Sequence, residues 1–256
     1  MDLEPDRWTL PDWPKTLEWC QTRNSQGIKC IIDVLGEYAT TKEAVDTSKS
    51  AYLECIKQIH ENKLKASISI KLSALGSMFD TDLCQKTAID LAKEALCQDV
   101  GFEIDMEGRG LVTYAIDVAA ACAEKWHRVS LAFQAYLDRT RNDLKRASES
   151  GITARIVKGG YVGSTTDSVE IQQRFKELVS VLHARSTFFT VGTYDPELLE
   201  LDEGADGGKP DLNRVQLPQS LADRTKIAMA KGGGWFRNTC RLARITQRTK
   251  QGVKNT

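Results

Sequence analysis

The chain has 256 residues, 41% hydrophobic and 27% charged, with 35 basic side chains against 35 acidic ones. A formal charge of zero argues against a general nucleic-acid or anionic-membrane binder. No apolar run approaches the roughly 20 residues needed to cross a bilayer, so no integral membrane segment is expected.

The acidic, aromatic start "MDLEPDRWTLPDW" is not a secretory leader and reads as a cytoplasmic beginning. Residues 1–27 form a helical lead-in to one large domain spanning 1–256, a size usual for an α/β barrel. The cysteines (Cys20, Cys30, Cys55, Cys84, Cys97, Cys122 and Cys240) show no CxxC spacing, which suits free thiols in a reducing compartment. His60, His127 and His183 have no partner histidine, so no metal site is expected.

From residue 28 short branched-apolar runs alternate with helical patterns. "IKCIIDVLGE" (28–37) precedes a helix over 41–61, which carries apolar residues at helical spacing through Ala44, Ala51, Leu53 and Ile56. "KASISIKLSAL" (65–75) precedes a helix from about 80 to 97, and "VGFEIDME" (100–107) one near 110–125. "RVSLAFQAYL" (128–137) leads into 139–150, "ITARIVKGG" (152–160) into 167–184, and "STFFTVGTYD" (186–195) follows. Six strand-then-helix units imply parallel strands with crossover helices. A (β/α)8 TIM-type barrel fits best; a doubly wound sheet is the rival, weakened because no GxGxxG opens the first helix.

Beyond Asp195 the pattern thins. Residues 201–213 read as a polar loop, 214–220 as a short seventh strand, 221–234 as a seventh helix and 235–250 as a basic amphipathic C-terminal helix. That leaves no eighth strand, so the barrel is expected to be incomplete or distorted at its last strand.

Each strand ends in polar groups. They are Asp33 and Glu37, Lys71 and Ser73, Asp105 and Glu107, Gln134 and Tyr136, Arg155, Lys158 and Tyr161, then Thr193, Tyr194 and Asp195. The C-terminal strand ends of a parallel barrel converge on one mouth, where active sites lie. A single lysine there is more often a solvated rim charge, but six consecutive strands repeat the arrangement.

These segments, in this order, resemble the proline dehydrogenase family. "IIDVLGE", "SIKLSAL", "FEIDME", "FQAYLDRTRNDL", "ARIVKGGY" and "TVGTYDPELL" are similar to its first six strand motifs, a likeness covering roughly residues 28–200. The resemblance implies a (β/α)8 barrel that holds FAD without a covalent bond and oxidises L-proline to Δ1-pyrroline-5-carboxylate, with hydride passing to flavin N5. Asp105 and Arg155 would then be catalytic, Arg155 lying against the flavin ring. Met106, Gln134, Lys158, Gly159, Gly160, Thr193 and Tyr194 would contact the cofactor, the glycines letting it approach the backbone. Lys71, Tyr161 and Arg241 would bind substrate, and Glu37 matches a glutamate able to pair with an arginine covering the site. A quinone would accept the electrons, with contact at the membrane periphery when it does. The flavin chemistry suits a fixed guanidinium, because reduced flavin carries negative charge.

Departures from the family pattern fall late in the chain. Tyr194 replaces a histidine, and the eighth-strand tyrosine motif has no counterpart. "WFRNTCRLAR" offers only Arg241 where the family's last helix carries two adjacent arginines. Losing one desolvated arginine–carboxylate contact would cost roughly 2–5 kcal/mol. A flavin barrel acting on another secondary amine, and a non-catalytic barrel, are the competing expectations.

Overall fold

Branched and aromatic residues form the strands, and N-capping side chains start the helices that return the chain. In the computed structural model the described residues are 9–125, 128–185, 188–193, 195, 198, 215–218 and 236–242. The strands are β1 (Thr9–Leu10), β2 (Ile28–Val34), β3 (Ala66–Ile70), β4 (Gly101–Ile104), β5 (Val129–Gln134), β6 (Thr153–Val157), β7 (Phe189–Gly192), β8 (Val215–Pro218) and β9 (Phe236–Leu242). The α-helices among these residues are α1 (Trp13–Ser25), α2 (Lys42–Glu61), α3 (Thr81–Cys97), α4 (Val112–Lys125), α5 (Thr140–Glu149) and α6 (Ser168–Ala184). Asp12, Thr41, Asp80 and Asp167 cap α1, α2, α3 and α6 by accepting from backbone N–H groups of the first turn.

All strand pairs are parallel, in the order β1-β9-β2-β3-β4-β5-β6-β7-β8, and β8 also pairs with β9. The last pairing closes β2 through β9 into a barrel. β9 lies between β2, where Ile28 faces Phe236 and Asp33 faces Arg241, and β8, where Val215 faces Phe236. β1 continues the edge of β9 beyond the end of β8, pairing Thr9 with Arg241.

The expected C-terminal helix over 235–250 is therefore corrected: residues 236–242 are the eighth barrel strand. Arginines at 237, 241, 244 and 248 mimic a helical stripe, but a period of two, Phe236, Cys240 and Leu242 against Arg237, Thr239 and Arg241, runs through the same residues with Asn238 as its one interruption. Two open sheet edges, on β2 and β8, need a partner for their backbone groups, and that demand overrides local periodicity. The expected loop over 201–213, the seventh helix, Tyr194 and Trp235 lie outside the described residues.

The core sits between the barrel and its helices. Ile68, Ile70, Phe102, Ile104, Leu131 and Phe133 are buried, alternating along β3, β4 and β5 with residues of the other strand face. Among those, Ser67, Ser69, Glu103, Ser130 and Gln134 are also buried, as expected of strands covered on both faces. No helix among the described residues is long and apolar enough to cross a membrane. Cys20, Cys30, Cys55, Cys84 and Cys122 are buried and Cys97 is exposed, none of them in a disulfide.

Candidate active site

Parallel strands that start together also end together, so the polar residues at their C-terminal ends meet. A cavity of about 520 Å³ opens there, lined by Glu37, Lys71, Asp105, Met106, Gln134, Val157, Lys158, Gly159, Gly160, Tyr161, Gly192 and Thr193. Its size is that of a cofactor or substrate pocket.

Lys71, just past β3, is 2% exposed and is gripped by Asp33 of β2, with Nζ 2.8 and 3.0 Å from the two carboxylate oxygens. Asp105 stands 3.8 Å and Glu37 4.0 Å from the same nitrogen. Burial opposes the charged ammonium, but Asp33, Asp105 and Glu37 outweigh it, and the pKa of Lys71 is raised. Its backbone N–H donates to the buried Tyr52 hydroxyl at 3.1 Å, which fixes where the side chain begins.

Arg155 of β6 is 5% exposed and binds two carboxylates: Nη1 donates to Glu103 at 3.0 Å and Nη2 to Asp105 at 2.8 Å. β5 lies between β4 and β6 in the sheet, so the Glu103–Arg155 pair spans the barrel interior. Arg155 does not line the cavity but donates to Asp105, which does.

Gln134 donates from Nε2 to the backbone oxygens of Met106 at 3.0 Å and Glu107 at 3.3 Å, while its buried Oε1 has no hydrogen-bond partner. Because the amide is pinned at one end, the free acceptor is fixed in place and calls for a donor. Lys158 pairs with Asp195 at 2.8 Å. The Tyr161 hydroxyl donates to Glu37 Oε1 at 3.3 Å, and its backbone N–H donates to the Tyr136 hydroxyl at 2.8 Å. Burial first, then Glu37 and Asp105, push the Tyr161 phenol up, so it stays a neutral donor.

The two glycines differ. A Cβ on Gly159, at φ +131°, would fall 1.8 Å from the Tyr136 ring, so that glycine is required by Tyr136. A Cβ on Gly160 would meet nothing within 4 Å, leaving open space at the cavity wall. Both glycines line the cavity. Thr193 is buried and lines the cavity beside Gly192, its Oγ1 accepting from the Asp195 N–H at 3.1 Å. Arg241 lies in register with Asp33, on the neighbouring strand β9.

Asp33, one of the strand-end groups, and Glu103, to which the sequence gives no place at the mouth, anchor its cations. Glu103 had a readable signal: it stands two residues before Asp105, so both carboxylates share one face of β4. Glu107 holds the Ser73 backbone N–H at 2.9 Å and the Ser73 hydroxyl, tying the end of β4 to the turn after β3. Burial raises the Glu107 pKa, partly offset by these two bonds.

A family model described as proline dehydrogenase matches residues 16–179, well over half of the chain. "Proline dehydrogenase 2" of Bacillus subtilis strain 168 is 22% identical over 229 residues, 87% of this chain and 76% of that protein. "Proline dehydrogenase 1" of Bacillus subtilis subsp. natto is 25% identical over 181 residues, 69% of this chain and 60% of that protein. Among solved structures, proline utilization A (PutA) from Bdellovibrio bacteriovorus superposes with a TM-score of 0.81 at 15% identity, covering 93% of this chain. The PutA of Corynebacterium freiburgense gives 0.71 at 15% identity and 92% coverage. These likenesses concern the fold alone, and the chain spans 30% and 29% of the two PutA chains.

Proposed function

Because the chain belongs to the proline dehydrogenase family, we propose that it is an FAD-dependent enzyme oxidising L-proline to Δ1-pyrroline-5-carboxylate. The observation that carries this reading is the single cavity that gathers Lys71, Asp105, Gln134, Lys158, Gly160 and Tyr161 from four strand ends. Two features fit a flavin. The orphaned Gln134 Oε1 accepts from an N–H such as a flavin ring offers, and the open face of Gly160 leaves room for a flat group against the backbone. FAD held there would accept a hydride at N5 from the carbon next to the proline nitrogen, and pass the electrons to an acceptor such as a quinone.

The chain's own groups have separable tasks. Lys71 presents its ammonium to the substrate carboxylate, with Asp33 fixing where it stands. Asp105 joins Lys71 to Arg155, so the two cations keep their spacing. Tyr161 walls the substrate side, its ring oriented by the bond to Glu37 and its backbone by Tyr136. Lys158, backed by Asp195, offers positive charge to an anionic part of the cofactor. Met106 and Thr193 line the cofactor side, Tyr194 follows directly in the chain, and Arg241 sits in register with Asp33. The site is assigned to the cytoplasm, with electron delivery at the membrane periphery.

A second reading, another secondary amine as substrate, is favoured by one detail. Arg241 stands alone where the family pattern has two adjacent arginines. Titration of the protein with FAD, followed by a dye-linked comparison of proline, pipecolate, hydroxyproline and N-methyl amino acids, separates the two. FAD uptake with proline as best substrate supports the first reading. A better substrate than proline supports the second, and no uptake of FAD removes both.

A further inference from the structure

Arg155 is held by more negative charge than it carries. Glu103 Oε2 takes Nη1, Asp105 Oδ1 takes Nη2, and the Nε–H has no hydrogen-bond partner. Asp105 also faces Lys71, which Asp33 grips. The connected cluster, Lys71 and Arg155 with Asp33, Glu37, Asp105 and Glu103, therefore holds two cations against four carboxylates. Glu103 is the deepest of these acids, 2% exposed, and its other oxygen accepts from the Ser67 hydroxyl at 2.7 Å. Ser67, Glu103 and Arg155 thus form a buried line from β3 through β4 to β6, below the cavity floor. The resemblance to known motifs gave Glu103 no role.

We infer that Glu103 is a positioning residue that fixes the Arg155 guanidinium and offsets its charge, so setting the electron affinity of the flavin site. This rests on the reading that the cavity holds FAD. The physical basis is direct. Reduced flavin gains negative charge, so any fixed charge nearby in a low-dielectric interior biases the oxidised–reduced equilibrium. A lone buried guanidinium would draw electrons strongly, and a carboxylate 3.0 Å from it cancels much of that pull. Glu103 also removes the rotational freedom of Arg155 by holding the nitrogen that Asp105 does not.

The test is the midpoint potential of bound FAD in the full chain, measured against a redox dye, for wild type, Glu103→Gln and Glu103→Asp. Glutamine keeps the shape and an acceptor for Nη1 but loses the charge. The potential should rise by about 30 mV, a tenfold shift toward reduced flavin for a two-electron couple. Aspartate keeps the charge, and its potential should lie closer to wild type. An unchanged or lowered potential in Glu103→Gln, or an equal shift in both variants, overturns the inference. A purely structural role would lower stability or FAD occupancy without raising the potential. Should Glu103→Gln not fold, Ser67→Ala reads the same link: without the hydroxyl the Glu103 charge is less compensated and the potential falls two- to threefold in equilibrium terms. No change there is equally fatal. Failure of the wild-type chain to take up FAD would instead sink the functional reading itself, and shows before any variant is made.

Discussion

Asp33 holds Lys71 through both carboxylate oxygens, at 2.8 and 3.0 Å, where β2 and β3 end side by side. Both side chains are almost wholly buried, so removing Asp33 takes from Lys71 its nearest counter-charge and leaves Asp105 at 3.8 Å and Glu37 at 4.0 Å to face a buried ammonium. Asp33→Ala should lower the unfolding free energy by about 3–5 kcal/mol. The double variant Asp33→Leu with Lys71→Met should recover most of that loss while leaving proline unbound. Urea unfolding and proline titration check both halves. A double variant as unstable as Asp33→Ala would mean that the ion pair is not the cause.

Glu107 gives a pH dependence whose sign follows from burial. Its pKa is raised in the folded protein, so the folded state binds the proton more tightly than the unfolded chain. The associated stability is present below the ordinary glutamate value of 4.5 and is lost as pH rises through the folded value. Relative to Glu107→Gln, wild type should therefore lose stability between acid and neutral pH. Unfolding measured for both proteins across that range tests it, and a constant difference contradicts it.

Neighbouring glycines should respond in opposite ways. Gly159→Ala drives a methyl into the Tyr136 ring at a positive φ, and should cost at least about 1–3 kcal/mol of stability. Gly160→Ala meets open space, so thermal stability without cofactor should be unchanged while FAD affinity falls. Melting and FAD titration of the two variants distinguish them. Weakened FAD binding by both at equal stability would count against the assignment of Tyr136 as the reason for Gly159.

Barrel closure rests on β9, which pairs with β2 on one edge and β8 on the other. Asn238→Pro removes a backbone donor from a strand bonded on both sides, where proline is not accommodated. It should broaden the unfolding transition and promote aggregation through the exposed edges. A helix across 236–242 with no sheet partner would leave solubility intact, and that outcome would contradict the closed ladder.

Much of this arrangement could be read from the chain. The motifs around Lys71, Asp105, Gln134, Lys158 and Tyr161 each end a strand, and parallel strands bring such ends together without further information. Partner choice was less legible. Glu103 meets Arg155 52 residues away across a strand that separates them, and period-two alternation gives the face but not the contact. β9 is hidden in the sequence because its arginines repeat at helical spacing while the edges that recruit it, on β8 and β2, lie far back along the chain. The need for Gly159 arises from the Tyr136 ring, a contact between two loops that neither loop announces.

The central claim, that the cavity at the strand ends holds FAD and reduces it with proline, is tested most directly by mixing FAD-loaded protein with L-proline without oxygen and following flavin absorbance. Bleaching that saturates with proline concentration is the predicted result. A bound flavin that stays oxidised at every proline concentration, with a separate amine or none able to bleach it, would contradict the account.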